Sequence, residues 1–427
     1  MSSARDGRVS DVSRAVSRGA NFPAFGEYNE AVILDAVRRA ASDISRVELA
    51  QITGLSAQTV SKVTRRLISA GIVREKGTVS NGPGKPRTIL ELDAKRYYAV
   101  GVHLDPAVLT CVLLDLVGGV VARRSVDLRE QAKPDALIGR ITDVIDDVVA
   151  SVGIEEARVL GVGIASPGPL DSRTGIVSHP PHLREWGTVP LRAALIEKTG
   201  YSVLVERDVT AAVVAELWAP VDDAVADFLF LYYGTGVNAG IALGRDVVRG
   251  VNGRAGAAGH VSTGPGGEPC FCGRDGCLDS TCTPEIVVRK ARDLGLLPSR
   301  ADGAEGSASS LLADMTALVA QVRENPQGPA ATLLAETGRR IGRAVATLVA
   351  VIDVTRVVLG GPFWEVAESA LVESLQSVLR TDAALHARGR IEIVGAAVGT
   401  DVAATGAACL VLDNAFSRRP SSILLAP

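Results

Sequence analysis

The sequence predicts an α/β body behind a small α+β helix-turn-helix module, and three stretches carry that reading. Residues 28–92 hold short helical patterns around a glycine turn and close with two alternating strand patterns. From residue 93 to 413, strand-like and helix-like segments alternate, which is the pattern of layered α/β folds. Within that body, Gly256 to Asp279 gathers His260, Cys270, Cys272 and Cys277.

Length and composition bound the possibilities first. A chain of 427 residues accommodates two or three domains. It is 47% hydrophobic and 22% charged, and no apolar run approaches the roughly 18 residues of a membrane span. Met1 to Glu27 is rich in Ser, Arg and Gly and lacks the apolar core of a signal peptide. A cytoplasmic, nucleoid-associated protein with no membrane contact is therefore expected. Residues 1–27 read as a disordered arm and 414–427 as a tail. Cys111, Cys282 and Cys409 sit among apolar or small neighbours and read as packed thiols. The net charge of −3 is uneven: residues 28–90 carry ten Lys/Arg against five acids, so the remainder is at −8. A basic module on an acidic body points to a polyanionic partner for the module.

That module is legible element by element. Apolar residues at helical spacing (Val32, Ile33, Ala36, Val37) predict a first helix over Asn29 to Ala40. Ser45 and Glu48 have capping-box spacing, so a second helix starts near Arg46, runs to Thr53 and stops at Gly54. Ser56 caps a third helix from Ala57 to about Ala70, with Val60, Val63 and Leu67 turned inward. Two short helices joined through a glycine make a helix-turn-helix whose second helix enters the major groove of double-stranded DNA. Gln58, Thr59, Ser61 and Lys62 are placed near base edges, while Arg46, Ser56, Arg65 and Arg66 are placed to hold the backbone. Two strand patterns follow, around 72–75 and 88–92, joined by a basic tip that carries Lys85 and Arg87 toward a groove or phosphates. The module is a winged helix-turn-helix.

The body opens with three consecutive strand patterns (98–104, 109–114, 120–126), then a helix over 134–151 and a buried strand over 159–164. Pro167 and Gly168 lie in the loop after that strand. A helix at 190–199, a strand at 203–206 and a helix from Asp208 to Trp218 complete a first lobe of about 93–222 plus 401–413. The second lobe, 223–400, opens with strands at 228–233 and 239–243. It continues with helices near 284–294, 328–352 and 364–380 around strands at 357–360 and 391–395. Residues 299–310 read as a surface loop. A three-stranded meander followed by alternating helices and strands, given twice, predicts the two-lobed ribonuclease-H-like fold of the actin and sugar-kinase type.

Three thiolates and an imidazole are the donor set of a closed tetrahedral zinc site, and thiolate softness suits zinc. Gly273 and Gly276 supply tight turns between the last two thiols. Four protein donors leave no position for water, so the zinc is structural.

With these motifs in place, the body resembles the ROK family of bacterial sugar kinases and repressors. The resemblance rests most on Gly256–His260 and Cys270–Asp279, which look like the family's G-E-x-G-H and C-x-C-G-x-x-G-C-x-E; it implies zinc on His260, Cys270, Cys272 and Cys277. The family's phosphate turn D-x-G-G-T corresponds here to His103-Leu104-Asp105-Pro106-Ala107. An acid and a proline without an amide proton replace its glycines, so phosphoryl transfer is not expected. Asp208 matches the family's catalytic aspartate and, with no ATP to serve, is left to accept sugar hydroxyls; it also falls where a helix N-cap belongs. Arg207, His182 and Asp279 stand where the family has Asn, Asn and Glu, and Ala257 where it has Glu. Loss of an acid and gain of donors point to an acidic or phosphorylated sugar derivative. The resemblance therefore implies a DNA-binding regulator, a repressor, acting as a homodimer or dimer of dimers on an operator. Its effector would touch Pro167, Gly168, His182, Arg207, Asp208, His260 and Asp279. The rival reading is an ATP-dependent sugar kinase tethered to a DNA-binding module.

Overall fold

The structure is a computed structural model and describes residues 22–40, 43–80, 86–106, 108–128, 133–180, 183, 185–219, 226–299, 308–385 and 389–416. The expected arm up to residue 21, Lys85, Ala107, His182 and the tail from 417 lie outside the described residues.

The N-terminal module contains α1 (Phe22–Arg39), β1 (Ile44–Ser45), α2 (Arg46–Thr53), α3 (Ala57–Ser69), β2 (Val73–Val79) and β3 (Arg87–Leu92). Helix α1 starts seven residues before the apolar spacing at Asn29 indicates; its first turn contains Pro23, which a helix start tolerates because no amide is needed there. The termini of α2 and α3 follow local chemistry. Glu48 accepts the Ser45 amide at 2.7 Å, Gly54 takes φ +69° and donates to Ala50, and Ser56 Oγ accepts the Thr59 amide at 3.2 Å. The three strands pair in the order β1-β3-β2, all antiparallel, and form the wing.

Lobe 1 contains β4 (Tyr98–Leu104), β5 (Val108–Asp115), β6 (Val120–Asp127), α4 (Pro134–Val152), β7 (Val159–Ser166), β8 (Leu170–Asp171), β9 (Ile176–Ser178), β10 (Thr188–Val189), α5 (Leu191–Thr199), β11 (Val203–Arg207) and α6 (Asp208–Trp218). Lobe 2 contains β12 (Phe228–Tyr233), β13 (Val237–Leu243), β14 (Asp246–Val247), α7 (Leu278–Cys282), α8 (Pro284–Asp293), α9 (Ala308–Glu324), α10 (Pro329–Ile352), β15 (Arg356–Gly360), α11 (Pro362–Thr381) and β16 (Glu392–Gly395). The final helix, α12 (Val402–Phe416), returns to lobe 1.

The duplication is visible in the sheets. Their orders are β11-β7-β4-β5-β6 and β14-β13-β12-β15-β16, so each is an antiparallel meander extended by two parallel strands on the side of its first strand. Helix α9 was not among the expected elements, although Leu311, Leu312, Met315, Leu318, Val319 and Val322 recur at helical spacing. It begins where the expected loop at 299–310 was to end.

Helix α12 lies against β4, β7 and α6 at backbone distance. A Cβ at Gly101 would fall 2.0 Å from the Ala404 oxygen, one at Gly163 1.8 Å from Ala407, and one at Gly406 1.7 Å from Ala211. The side of the sheet that carries α6 and α12 belongs to the same apolar core as Leu34, Val37, Leu49 and Val60 of the module. We expect Gly406→Ala to force α12 off α6 and lower stability by at least the ~1–3 kcal/mol typical of overpacked cores. Chemical denaturation would show this as a shifted midpoint, and an unchanged midpoint would refute the close packing.

Candidate functional site

The cysteine-rich stretch folds as its residue types require. Gly273 (φ +84°) and Gly276 (φ +71°) occupy left-handed conformations, and a Cβ on Gly276 would sit 2.6 Å from the Gly264 oxygen. The Thr263 amide donates to Gly276 at 2.7 Å and the Cys270 amide to Arg274 at 2.8 Å, which folds the loop back on itself. Arg340 of α10 donates to the carbonyls of Pro265 and Gly266, and Arg343 to that of Thr263. The result brings one donor atom each from His260, Cys270, Cys272 and Cys277 within 4.8 Å of one another. Cys270 Sγ lies 3.5 Å from His260 Nδ1, and Cys272 Sγ lies 3.6 Å from Cys277 Sγ. Tetrahedral geometry with metal–sulfur and metal–nitrogen bonds of about 2.3 and 2.05 Å gives S···N and S···S separations of about 3.55 and 3.75 Å. The four side chains are therefore spaced so that they could hold one metal ion.

The same stretch borders the cleft between the lobes. Asp279, in the first turn of α7, accepts the Val237 amide at 3.3 Å and fixes the start of β13. Ala257 is exposed, so no carboxylate projects from the position where the family has one. Across the cleft, Pro167 and Gly168 follow β7, and a Cβ on Gly168 would lie 3.9 Å from Arg207 Nε. Arg207 is buried at the end of β11; its amide donates to Glu206 Oε1 at 3.0 Å, and its Nη1 crosses to the Ala255 carbonyl at 3.0 Å. Glu206, also buried, pairs with Arg249 at 2.8 Å. This Glu206–Arg249 pair was not anticipated, because its partners are 43 residues apart and neither sits in a motif.

Asp208 is the first residue of α6 rather than its N-cap, which is Arg207. Its carboxylate accepts the Val209 amide at 2.7 Å, and burial pushes its pKa above the ordinary aspartate value. At the end of β4 and just beyond it, His103 and Asp105 are both buried. Asp105 is buried and lies 3.4 Å from Thr235 Oγ1 of the opposite lobe. His103 packs edge-on to Tyr232 with ring centroids 6.1 Å apart, and the Tyr232 hydroxyl is buried without a hydrogen-bond partner among the described residues. Burial, then the Asp105 and Asp208 charges, raise that hydroxyl well above its usual pKa.

On the module, Gln58, Lys62, Arg65 and Arg66 are exposed on α3, and Thr59 and Ser61 are half-buried. Several expected DNA contacts are already engaged: Ser56 and Thr59 in the cap, Arg46 with Glu75 at 2.9 Å, Arg87 with Glu48 at 2.9 Å, and Arg66 with Glu30 of α1.

A winged module fused to a duplicated α/β body with a Cys3His loop is the arrangement that comparison with known proteins has to account for. Residues 99–414 match the ROK family and residues 32–74 match a winged helix-turn-helix DNA-binding family. The chain belongs to the ROK family. It is 28% identical over 251 residues to a xylose repressor of Caldicellulosiruptor bescii, a match covering 59% of this chain and 63% of the repressor's length. It is 25% identical over 358 residues to the DNA-binding transcriptional dual regulator NagC of Escherichia coli, covering 82% and 84% of the two chains. A solved ROK family transcriptional regulator, a homolog of the Escherichia coli MLC protein, superposes with a TM-score of 0.74 at 24% identity, covering 94% of this chain and 98% of that one, and so shares the fold. Sugar kinases of the family are also among its relatives.

Two outcomes follow from this geometry. Purified protein should carry one equivalent of divalent metal, and Cys277→Ala should lose it and lower the thermal midpoint; full metal content in that variant would contradict the ligand set. Burial also pushes the His103 pKa down from 6.5 to about 4. The folded state thus binds fewer protons than the unfolded state between those values, so stability falls as pH drops from 6.5 toward 4, by on the order of 3 kcal/mol. His103→Gln should flatten that dependence relative to wild type in urea titrations at several pH values.

Proposed function

We propose that the protein is a DNA-binding transcriptional regulator, a repressor, whose zinc-braced body senses a sugar-type ligand between its lobes. One observation carries this reading: α6 begins at Asp208 in the cleft and ends at Trp218 against the DNA-binding module. There Arg38 of α1 stacks on the Trp218 ring at 4.1 Å and donates to its carbonyl at 3.4 Å, while Trp218 Nε1 donates to Asp413 Oδ1 of α12 at 3.0 Å. A single helix joins the ligand-facing carboxylate to the first helix of the reader. Ligand that favours one lobe arrangement shifts α6, and α6 shifts the module.

Residue chemistry supports sensing over phosphoryl transfer. A triphosphate at the end of β4 would meet the Asp105 carboxylate instead of amides, and Pro106 has no N–H to offer. Asp208 then serves as a hydrogen-bond acceptor for sugar hydroxyls, and Pro167, Gly168, Arg207, His260 and Asp279 are the further proposed ligand contacts. The donor set and spacing of the cysteine loop favour zinc, which supplies a closed tetrahedral brace for that loop. His260 binds through Nδ1, leaving Nε2 for the cleft. Helix α3 lies in the major groove, with Gln58, Thr59, Ser61 and Lys62 toward bases and Arg65 toward phosphate. Arg46, Ser56, Arg66, Lys85 and Arg87 contribute backbone contacts. A homodimer or dimer of dimers presents two such helices to operator half-sites in the cytoplasm.

Fluorescence anisotropy on operator fragments selected from genomic DNA tests this directly. Gln58→Ala should cost about 1–3 kcal/mol and relax preference at one base position, whereas Lys62→Ala should weaken all sequences alike and lower the salt dependence. Trp218→Ala should retain DNA affinity but lose its response to ligand. Sugar-dependent ATP hydrolysis at an enzymatic rate, with no sequence preference on DNA, would establish the tethered kinase instead.

A further inference from the structure

We infer that the mouth of the cleft is an anion subsite, so that the ligand is a sugar carrying a phosphate or carboxylate; this rests on the sugar-sensing reading above and narrows it. A cavity of about 690 Å³ opens between the β8–β9 hairpin of lobe 1 and residues 249–254 of lobe 2. That volume lies within the roughly 300–1,000 Å³ of small-molecule sites and exceeds what a single hexose ring fills. The two walls face each other closely: a Cβ on Gly253 would lie 3.8 Å from Ser172 Oγ.

Its charge is uneven. Arg173, Arg249 and Arg254 line it, opposed by Asp171 alone among lining carboxylates. Immediately behind, Arg207 holds the Ala255 carbonyl, Arg192 donates to the carbonyls of Ser172 and Arg173, and Glu206 pairs with Arg249. Five guanidinium groups therefore meet three carboxylates, Asp171, Glu206 and Asp208 beside Arg207, a local excess of +2 if all three are ionised. Asp171 remains ionised, because the Arg173 amide holds its pKa below the usual value.

The guanidinium groups differ in what they are free to do. Arg207 and Arg192 are committed to backbone carbonyls, and Arg249 is committed in part to Glu206. Arg173 reaches Asp171 only at 3.9 Å and is almost fully exposed. Arg254 has no carboxylate partner among the described residues and is exposed on the cavity wall. A planar fork with no carboxylate partner among the described residues, on a wall already rich in positive charge, suits bidentate binding of a phosphate or carboxylate. The committed arginines set the potential, and Arg254 with Arg173 makes the contact. Arg207, which holds the carbonyl of Ala255 beside Arg254, directly precedes the proposed sugar-hydroxyl acceptor Asp208 and so joins it to the subsite.

Isothermal titration on the full-length protein tests the inference with a panel of hexoses and N-acetylhexosamines. Each is offered in neutral form, as its 6-phosphate and as its uronate, with inorganic phosphate as a separate probe. The phosphate or carboxylate form of at least one sugar should bind at least about tenfold more tightly than its neutral parent. Arg254→Ala should weaken that form by about ten- to a hundredfold, with Arg254→Lys recovering part and Arg380→Ala, on the distant α11, changing nothing. Neutral sugars binding as well as charged ones, or charged ones indifferent to Arg254, would overturn the inference while leaving sugar sensing intact. Inorganic phosphate binding through Arg254 with no sugar binding would keep the anion subsite and overturn sugar sensing. No binding by any anionic probe overturns the inference.

Discussion

Backbone-to-backbone contact at α12 is the constraint on which the rest of the molecule depends. Glycine at 406 lets α12 touch α6, and glycines at 101 and 163 let it touch β4 and β7. Around these positions α12 presents Ala403, Ala404, Ala407, Ala408 and Cys409, all buried, so that few side-chain atoms separate the helices from the sheet. Contacts this close leave little room for sliding, because packed interiors shift between discrete arrangements rather than deforming smoothly. The helix that carries Asp208 is therefore held as a rod between cleft and module. Its far end is Trp218, clamped by Arg38 from one side and Asp413 from the other. A cation–π pair of this kind contributes about 0.5–2 kcal/mol, similar in size to a typical allosteric coupling energy.

Lobe 2 contributes a different kind of rigidity. Turns at Gly273 and Gly276 and arginines from α10 hold the cysteine loop, whose flanks Ala258 and Leu278 are buried in the lobe 2 core. Phe271, beside His260 with centroids 5.0 Å apart, is 91% exposed, so burial of that ring does little to order the loop. Around the cleft, position 257 carries alanine, Asp105 is buried 3.4 Å from Thr235 Oγ1, and Arg173, Arg249 and Arg254 line the cavity between the β8–β9 hairpin and residues 249–254.

How much of this was legible in the sequence depends on how local its causes are. Both limits of α2 and the start of α3 follow from Ser45, Glu48, Gly54 and Ser56, each acting within four residues, and the sequence reading places them there. The His260, Cys270, Cys272 and Cys277 cluster was legible because three of the four lie within eight positions of one another. By contrast, α1 extends back to Phe22 through Gly26, whose poor helix propensity masks the pattern. The short strands β8 to β10 and β14 have two or three residues each, too few for a period to show. Helix α9 did carry the pattern and was obscured by the Ser- and Gly-rich stretch before it. Long-range partners such as Arg207 with Ala255, Glu206 with Arg249 and Arg38 with Trp218 depend on the closed fold, and no spacing announces them. Asp208 was read as a sugar-hydroxyl acceptor that also falls where a cap belongs; the cap is Arg207, and the aspartate carboxylate accepts the amide of Val209 in its own first turn.

The central claim is that the cleft and the DNA-binding module are one mechanical unit joined by α6. Amide hydrogen exchange on the full-length protein, with and without bound operator DNA, tests it without requiring the ligand to be known. Changed protection is expected in α6 from Val209 onward and in the cleft loops after β7 and β12, besides the module itself. Changes confined to residues 28–92, with α6 exchanging identically in both states, would contradict it.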